Sequence, residues 1–362
     1  MEGLANIRYN LVHRGFLFGG KASCYLAAPL TTRFRAQTSY ISTVLPPVAH
    51  YVPAPPTKEN LEYADLAIID LSKAQTAAGR AELAAQVKEA MTGQGFFYVV
   101  NHGYTQAQTE RMFDIADIPF TLVDDVEKRR FAPNIKEDGS YQGYKLRQYW
   151  HIDAGVRDQI EHYNINLDIT RKQHPKALQP VLPEVDAFIR HNHFNVLHPI
   201  LRLFALGLEL PEETFINNHN FDAVGETWAR FMKYYPRSEE DEVKTKNVWL
   251  KGHTDFGSIT ILWSQPVAAL QILSPDGKWR WVRHMDNALV VNAGDTMEFW
   301  SGSYYKATIH RVVQPPADQA GYARLGLFYF AMPDDDVKIT PMTDSPMVQK
   351  HGVLGDSRIK KS

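Results

Sequence analysis

The chain has 362 residues, of which 44% are apolar and 22% are charged, with 22 Gly and 21 Pro. This is the composition of a globular protein with a sizeable core, so a disordered or fibrous chain is excluded. The formal net charge of -2 creates no global field that would draw the chain onto nucleic acid or anionic lipid, and we expect neither as a partner. No apolar run reaches the length of a membrane-spanning helix. The single cysteine, Cys24, excludes disulfides and thiolate zinc sites, so any metal must be held by His, Asp or Glu.

The amino-terminal segment differs in composition from the rest. Residues 3–58 contain no Asp or Glu but carry several Arg and Lys among Ser, Thr and Ala. This composition is typical of a mitochondrial transit peptide, with an untargeted tail or a misplaced start codon as the alternative. The Pro-rich stretch at residues 45–56 predicts a semi-extended linker. We therefore expect residues 1–58 to stand apart from the body, in an intracellular protein of the cytoplasm, with the mitochondrion as the alternative location.

The first part of the body, residues 60–227, mixes strands and helices. Apolar runs predict strands at Ala67–Leu71 and from Gly95 to His102, and helical spacing predicts a helix over Ala81–Met91. Residues 105–132 are predicted to be helical. A long amphipathic helix is expected over residues 183–210, and its apolar positions are Phe188, Val196, Ile200, Phe204 and Leu208. The aromatic and polar stretch at residues 141–166 gives no clear element.

Short β runs follow one another closely over residues 228–335, with turn signals between them, and residues 336–362 form an extension. The predicted strands are Phe231–Tyr235, Ser258–Trp263, Leu270–Leu273, Trp279–Val282, Ala288–Asn292, Thr308–Val313 and Leu325–Ala331. This pattern indicates a sandwich or jelly roll, so the fold class is mainly β with flanking helices. The usual signals of ATP, dinucleotide and serine-hydrolase chemistry are absent from the sequence.

The pattern His-x-Asp occurs three times, at His151/Asp153, His253/Asp255 and His284/Asp286. On a strand, residues i and i+2 point to the same face, so such a pair can converge on one ion. Of the three pairs, only His253/Asp255 stands directly before a strong β run. We therefore predict that His253 and Asp255 bind a metal, and that the other two pairs are surface or packing residues.

A third ligand has to come from another strand, and His310 is the other histidine within a β run of this region. Two imidazoles and one carboxylate on one face leave coordination positions open, which suits non-haem Fe(II) and its reaction with O2. Zinc hydrolysis is the alternative, although it would also need a general base.

From about Ala67 to Pro333 the sequence resembles the Fe(II)- and 2-oxoglutarate-dependent dioxygenases of the isopenicillin N synthase-like family. The similarity lies in the stretches 95–103, 234–236, 253–260, 291–295 and 305–312, and in the strand of Arg324, which occur in the family's order. The resemblance implies a double-stranded β-helix, or jelly-roll, core at residues 228–335. It also implies that Fe(II), 2-oxoglutarate and O2 serve as cofactor and co-substrates, with His253, Asp255 and His310 binding the iron.

The resemblance further assigns residues to the co-substrate. Arg324 would pair with the distal carboxylate of 2-oxoglutarate, and Tyr235 would donate a hydrogen bond to the same co-substrate. The family usually has Arg-x-Ser at this strand, whereas this chain has Gly326 in place of the serine. Lys233, where an Asn is common in the family, would replace the missing donor if it points inward.

The expected reaction is oxidation of a small organic molecule, most simply its hydroxylation, with release of succinate and CO2. Phe328, Phe330 and Tyr149 are candidate substrate contacts, and an aromatic pocket suits a hydrophobic or ring-bearing molecule. Two alternatives stay open. One is an iron oxidase of the same fold that does not use 2-oxoglutarate, as Gly326 suggests, and the other is a jelly-roll binding protein without catalysis. The sequence does not predict the oligomeric state.

Overall fold

The computed structural model describes residues 45–134, 137 and 139–351. The chain divides into Met1–Leu45 and Pro46–Ser362, and the architecture below is that of the second unit. The expected transit peptide lies outside the described residues. The Pro-rich segment is extended, as predicted, but it lies against the body. Tyr51 stacks on Phe113 with ring centroids 6.2 Å apart, and the Oδ1 atom of Asp318 accepts a hydrogen bond from Thr57.

The described part of the unit contains two sheets and one short hairpin. The strands are β1 Ile68–Asp70, β2 Phe96–Val100, β3 Gly143–Lys145, β4 His151–Asp153, β5 Val156–Arg157, β6 Ile160–Asn166, β7 Trp228–Tyr234, β8 Val248–His253, β9 Ile259–Trp263, β10 Leu270–Leu273, β11 Trp279–Trp281, β12 Leu289–Ala293, β13 His310–Val313 and β14 Arg324–Ala331. The larger sheet has the order β1-β2-β12-β9-β14-β7-β6-β3, and the smaller has the order β11-β10-β13-β8. This architecture confirms the predicted jelly-roll fold with flanking helices.

The helices are α1 Ala77–Thr92, α2 Gln106–Thr121, α3 Asp125–Arg130, α4 Leu182–Arg190, α5 His198–Gly207, α6 Glu239–Thr245, α7 Asp295–Trp300 and α8 Pro346–His351. The central strands β9 and β12 are buried along their whole length and rich in β-branched residues, because other layers cover both faces. Apolar residues of α1, α2, α4 and α5 join these strands in one core. None of the helices within the described residues is both long and apolar enough to cross a membrane.

The long helix predicted over residues 183–210 is present, but its middle is a π-helical segment, His191–Leu197, between α4 and α5. Pro199 lacks an amide hydrogen, so it cannot donate to the carbonyl four residues earlier, and the hydrogen-bond ladder widens before it. The five predicted apolar positions are all fully buried. The wider turn also brings the Oδ1 atom of Asn192 to 3.0 Å from the indole nitrogen of Trp263.

Two parts of the sheets were not predicted. Residues 143–166 supply β3 to β6, and β8 carries His253. The burial of β8 is weak, because its apolar run is only three residues long, Val248–Leu250, and its residues Lys251 and Gly252 are exposed. Its position is instead fixed by pairing with β13.

Buried histidines connect the helical layer to the sheet. His193 Nδ1 lies 2.8 Å from the Tyr329 hydroxyl, and His219 Nε2 lies 2.6 Å from Ser258 Oγ. Burial lowers the pKa of His193 from 6.5 to about 3 and that of His219 from 6.5 to about 4, and the neighbouring His198 adds to both shifts. These imidazoles are therefore neutral in the folded protein at pH values where the unfolded chain already takes up protons.

We expect acid to destabilise the protein through these histidines. Both folded-state pKa values are depressed, so the stabilisation is complete above pH 6.5 and is lost progressively as pH falls toward about 4. Each neutral histidine contributes a slope of up to about 1.4 kcal/mol per pH unit in that window. Chemical denaturation at pH 7 and pH 5 would measure it. His219→Gln should reduce the slope, whereas the same change at exposed His151 should not, and equal slopes in both variants would contradict the assignment.

Candidate metal and co-substrate site

The three predicted metal ligands meet where β8 and β13 pair. His253 ends β8, His310 begins β13, and the two are directly opposite each other in the antiparallel register, with ring centroids 4.3 Å apart. Asp255 Oδ1 lies 3.9 Å from His253 Nε2 and 3.7 Å from His310 Nε2. Among the described residues these side chains form a group of three whose ligand atoms all lie within 4.8 Å of one another. One ion can therefore contact all three.

Hydrogen bonds aim the free ligand atoms at a common point. His253 Nδ1 lies 2.9 Å from its own strand's Lys251 carbonyl oxygen, and His310 Nδ1 lies 3.1 Å from that of Thr308. Each Nδ1–H donates to a carbonyl, so each Nε2 keeps its lone pair for a metal. A carbonyl partner of this kind also fixes the orientation of each imidazole ring.

The carboxylate of Asp255 is held in the same way. Its Oδ2 atom accepts hydrogen bonds from Thr260 Oγ1 at 2.7 Å and Asn292 Nδ2 at 2.9 Å, which leaves Oδ1 for the metal. Asp255 lies in the loop after β8 rather than on the strand, so the predicted alternation of side chains along a strand does not place it beside His253. The hydrogen bonds from β9 and β12 do.

The loop of Asp255 packs tightly against the turn after β12. The Asp295 amide donates to the Asp255 carbonyl oxygen at 2.7 Å. A Cβ atom at Gly294 would lie 2.6 Å from that same oxygen and would overlap the Gly257 carbonyl oxygen. Only glycine permits this approach, which explains the glycine in the stretch at residues 291–295 that carries part of the family resemblance.

The protonation states suit a divalent metal. Burial, together with the adjacent His310, lowers the pKa of His253, so its imidazole is neutral at neutral pH. Burial alone would raise the pKa of Asp255, but His310 and the hydrogen bonds from Asn292 and Thr260 outweigh it and lower the pKa. Neutral imidazoles and an ionised carboxylate are the forms that bind a metal.

The other two His-x-Asp pairs do not form such a site. His284 is bound on both ring nitrogens, by Ser264 Oγ at 2.7 Å and Asp286 Oδ1 at 3.0 Å. His151 and Asp153 are both exposed on the β4–β5 hairpin. Neither pair belongs to a described group of three candidate ligands, in agreement with the sequence-based interpretation.

A cavity opens beside the three ligands, and Arg324 lines it. Arg324 begins β14 opposite Tyr234 on β7, and its guanidinium lies 5.3 Å from the Tyr234 ring. The side chain is buried, and its Nε has no hydrogen-bond partner among the described residues. A buried donor of this kind is costly unless a ligand supplies the acceptor.

Two predicted co-substrate contacts lie outside this cavity. On β7 the residues that face the cavity are Arg230, Met232 and Tyr234, so alternation directs Lys233 to the opposite face, where its Nζ binds Asp117 Oδ1 at 2.6 Å. Tyr235 follows the end of the strand, and its hydroxyl donates to Glu161 at 3.2 Å. The assignments of Lys233 and Tyr235 are therefore corrected: Tyr234 occupies the position predicted for Tyr235.

The glycine that departs from the Arg-x-Ser pattern has a steric explanation. A Cβ atom at Gly326 would lie 2.7 Å from the Phe328 ring atom Cε2. Phe328 therefore fills the space that a serine side chain would need, and Gly326 and Phe328 form a matched pair along β14. The missing hydroxyl is accompanied by a change in the cavity wall.

Of the predicted substrate residues, Phe328 and Phe330 line the cavity and stack on each other, with centroids 5.6 Å apart. Tyr149 does not line it: the residue is 62% exposed and lies against Trp150. Sequence reasoning missed Arg230, which faces the cavity between Tyr234 and the aromatic residues. The alternation of β7 would have identified it once Tyr234 was known to face inward.

A jelly roll with two imidazoles and one carboxylate at its mouth defines a non-haem metal-dependent oxygenase. Comparisons with known proteins agree. Residues 215–347 match the model of the 2OG-Fe(II) oxygenase superfamily, and residues 66–184 match the amino-terminal model of the non-haem dioxygenase in morphine synthesis. The chain belongs to the 2OG-Fe(II) oxygenase superfamily, which confirms the predicted resemblance.

The matches to individual relatives have low sequence identity but cover most of both chains. The 2-oxoglutarate-Fe(II) type oxidoreductase hxnY of Emericella nidulans is 28% identical over 73% of this chain and 78% of its own length. Jasmonate-induced oxygenase 4 of Arabidopsis thaliana is 27% identical over 82% of this chain and 80% of its own length. The chain is thus a non-haem Fe(II)- and 2-oxoglutarate-dependent dioxygenase that oxidises a small organic molecule.

Solved structures share the fold. A full-length Neurospora crassa protein in complex with alpha-KG has a TM-score of 0.69 at 23% identity, covering 82% of this chain and 91% of its own. The complex of JOX2 with 2OG, Fe and JA has a TM-score of 0.62 at 24% identity, covering 80% of this chain and 81% of its own.

Removal of a metal ligand tests the site directly. We expect His253→Ala and Asp255→Ala to abolish stoichiometric Fe(II) binding in anaerobic calorimetry, because two ligands do not hold the ion. His284→Ala is the matched control and should bind Fe(II) within about twofold of the wild type, since His284 contacts only Ser264 and Asp286 through its ring nitrogens. A comparable loss in all three variants would show that the wrong pair had been assigned.

The Gly326 and Phe328 pair gives a second prediction for this site. We expect Gly326→Ser to lower the free energy of unfolding by about 1–3 kcal/mol, because the new side chain collides with the Phe328 ring. The double variant Gly326→Ser/Phe328→Ala should be as stable as Phe328→Ala alone, because the ring that the serine would meet is gone. It should also bind 2-oxoglutarate about tenfold more tightly than Phe328→Ala alone, since the hydroxyl gains a charged acceptor. Unchanged stability in Gly326→Ser would contradict the steric pairing.

Proposed function

We propose that this chain binds 2-oxoglutarate between the metal and Arg324 and holds a ring-bearing small molecule against the aromatic part of the same cavity. The observation that carries this proposal is the position of Arg324: a buried guanidinium with an unpartnered Nε lines the cavity that the three metal ligands share. Planar guanidinium groups bind carboxylates through two parallel hydrogen bonds.

The residues present fit Fe(II). His253, Asp255 and His310 offer two imidazole nitrogens and one carboxylate oxygen, the ligand set of non-haem Fe(II) oxygenases that leaves positions open for other ligands. With 2-oxoglutarate and O2, bound Fe(II) supplies the oxidising chemistry, in which the co-substrate yields succinate and CO2 and the substrate gains an oxygen atom.

The protein's own residues position the reactants and restrict water. Burial, partly offset by Arg324 and Arg230, raises the pKa of Tyr234 to about 12, so its hydroxyl remains a donor beside the proposed carboxylate. The Phe96 ring packs edge-on against the His310 ring with centroids 5.5 Å apart and restrains it. Leu262, Leu270 and Val312 make that end of the cavity apolar, which protects a reactive centre from solvent.

We also propose that the partner of this enzyme is a small molecule, without nucleic acid or a membrane. The near-neutral charge of the whole chain supports this proposal. An intracellular location in the cytoplasm is proposed, with the mitochondrion as the alternative because of the acid-free amino terminus. Import of a fusion of residues 1–58 to a fluorescent protein would distinguish the two locations.

The co-substrate is tested by anaerobic titration of the metal-free protein with Fe(II) and then 2-oxoglutarate, monitoring the visible charge-transfer band of the chelated complex. We expect the band only with both components. In Arg324→Gln the dissociation constant for 2-oxoglutarate should rise about a hundredfold, because the charged hydrogen bonds to the distal carboxylate are lost.

Lys233→Ala is the matched control for the removal of a cation from this region. It should leave the titration unchanged, because its ammonium group binds Asp117 on the far face of β7. Fe(II) binding without any band in the wild type would refute the co-substrate assignment and favour the iron oxidase that does not use 2-oxoglutarate.

A further inference from the structure

Arg230 is a second cavity-lining arginine that the metal and the co-substrate do not use. It lies on β7 on the same face as Tyr234, and the cavity beside the metal ligands is lined by both. Its Nε donates to Asn164 Oδ1 at 2.7 Å. Within the described residues, no Asp or Glu oxygen lies within 4.0 Å of its guanidinium nitrogens, so the terminal nitrogens keep donors for another molecule.

The ionisable side chains near Arg230 do not supply it with a counter-ion. Lys145 on β3 forms a buried ion pair with Asp158. Burial lowers the pKa of His162 far below its ordinary value, with Arg230 and Lys145 adding to the effect, so the imidazole is neutral. Burial also lowers the pKa of Arg230 to about 10, partly offset by Tyr234 and Asp255, and leaves it charged at neutral pH.

The charge of Arg230 also remains unpaired when the metal and the co-substrate are bound. If the proposed function is right, Asp255 and the two carboxylates of 2-oxoglutarate neutralise Fe(II) and Arg324. Arg230 then carries the one positive charge of the cavity that nothing among the described residues offsets. An oxygen acceptor on the substrate would satisfy it, and a buried guanidinium discriminates strongly against a molecule that lacks one.

Aromatic rings surround this cation. The guanidinium lies 4.6 Å from the centroid of Phe330 and 5.8 Å from that of Trp228. Trp228 contacts Phe256, which follows the ligand Asp255 and is 52% exposed, at a centroid distance of 6.2 Å. The indole nitrogen of Trp228 is buried and has no acceptor among the described residues. Flat faces beside directional donors are the features that bind a planar ring with polar substituents.

We infer that the substrate is a small planar ring that carries an oxygen acceptor, either a carboxylate or a ring carbonyl, which accepts hydrogen bonds from Arg230 while the ring packs on Phe330 and its aromatic neighbours. This inference names the substrate class of the proposed function and rests on it. Arg230 is thereby a specificity-determining residue, distinct from the co-substrate arginine Arg324.

The experiment measures ring binding to the anaerobic complex with Fe(II) and 2-oxoglutarate by calorimetry. Two matched probe pairs are used: indole-3-carboxylate against indole, and uracil against pyrimidine. We expect the wild type to prefer the oxygen-bearing member of at least one pair by about tenfold or more. A preference within the first pair identifies a carboxylate, and one within the second pair identifies a ring carbonyl.

The variants show whether Arg230 is the cause. Arg230→Gln should abolish the preference while retaining the charge-transfer band of the 2-oxoglutarate complex, which also shows that the variant is folded. Arg283→Gln is the control, because Arg283 stacks on Tyr63 at 4.0 Å and does not line this cavity. It should keep both the preference and the band.

Three results would overturn the inference. They are a wild type that does not distinguish the members of either pair, a preference that persists in Arg230→Gln, and loss of the 2-oxoglutarate band in Arg230→Gln, which would assign Arg230 to the co-substrate. A failure of the proposed function gives a different result, because the charge-transfer band of the 2-oxoglutarate complex is then missing from the wild type itself.

Discussion

The antiparallel pairing of β8 with β13 is the constraint on which the site depends. It sets His253 directly opposite His310, and neither strand alone could bring two imidazoles to one ion. The third ligand comes from outside this sheet, since Thr260 and Asn292 on two strands of the larger sheet hold the carboxylate of Asp255. The metal site therefore spans the two layers of the jelly roll, and it forms only when both sheets are in place.

The charged residues determine which ligands the cavity can hold. Carbonyl oxygens orient the two imidazoles, burial lowers the pKa of His253, and hydrogen-bond donors lower the pKa of Asp255, so these two ligands have the forms that a divalent cation requires. Two arginines face the same space from β14 and β7, at Arg324 and Arg230. A cavity that contains two uncompensated guanidinium groups and one metal site is built for anionic or oxygen-rich ligands. Its aromatic wall restricts those ligands to flat shapes on the Arg230 side.

The sequence was sufficient for the parts of the site that lie in recognisable stretches. His253, Asp255, His310 and Arg324 could be named because each belongs to a stretch that resembles the family in order and spacing. The error at Tyr235 has a simple physical origin: side chains alternate along a strand, so a shift of one residue in phase exchanges the two faces. Tyr234 and Tyr235 are adjacent and chemically identical, and only the register of β7 with β14 selects between them. Lys233 was misplaced by the same shift.

Other features depended on contacts between residues far apart in sequence. Nothing near Tyr149 indicates that it is exposed, and the apolar run of β8 is too short to be recognised without its partner strand. Strand β6 pairs with β3 on one side and with β7 on the other, and β7 begins more than 60 residues later. These elements are defined by long-range pairing rather than by local propensity, which is the usual limit of reasoning from a single sequence.

The departure at Gly326 shows how the two halves of the cavity are connected. Arg324, Gly326, Phe328 and Phe330 occupy successive inward positions of one strand, so the arginine end and the aromatic end of the cavity share a continuous backbone. The serine expected two residues after Arg324 is absent, and the ring of Phe328 occupies its space. The ring of Phe328 thus adds aromatic surface to the cavity at the position where the family pattern has a hydroxyl donor. On such a strand, a side chain at position 326 and the present ring position of Phe328 exclude each other, so the aromatic wall and the arginine end of the cavity are sterically coupled.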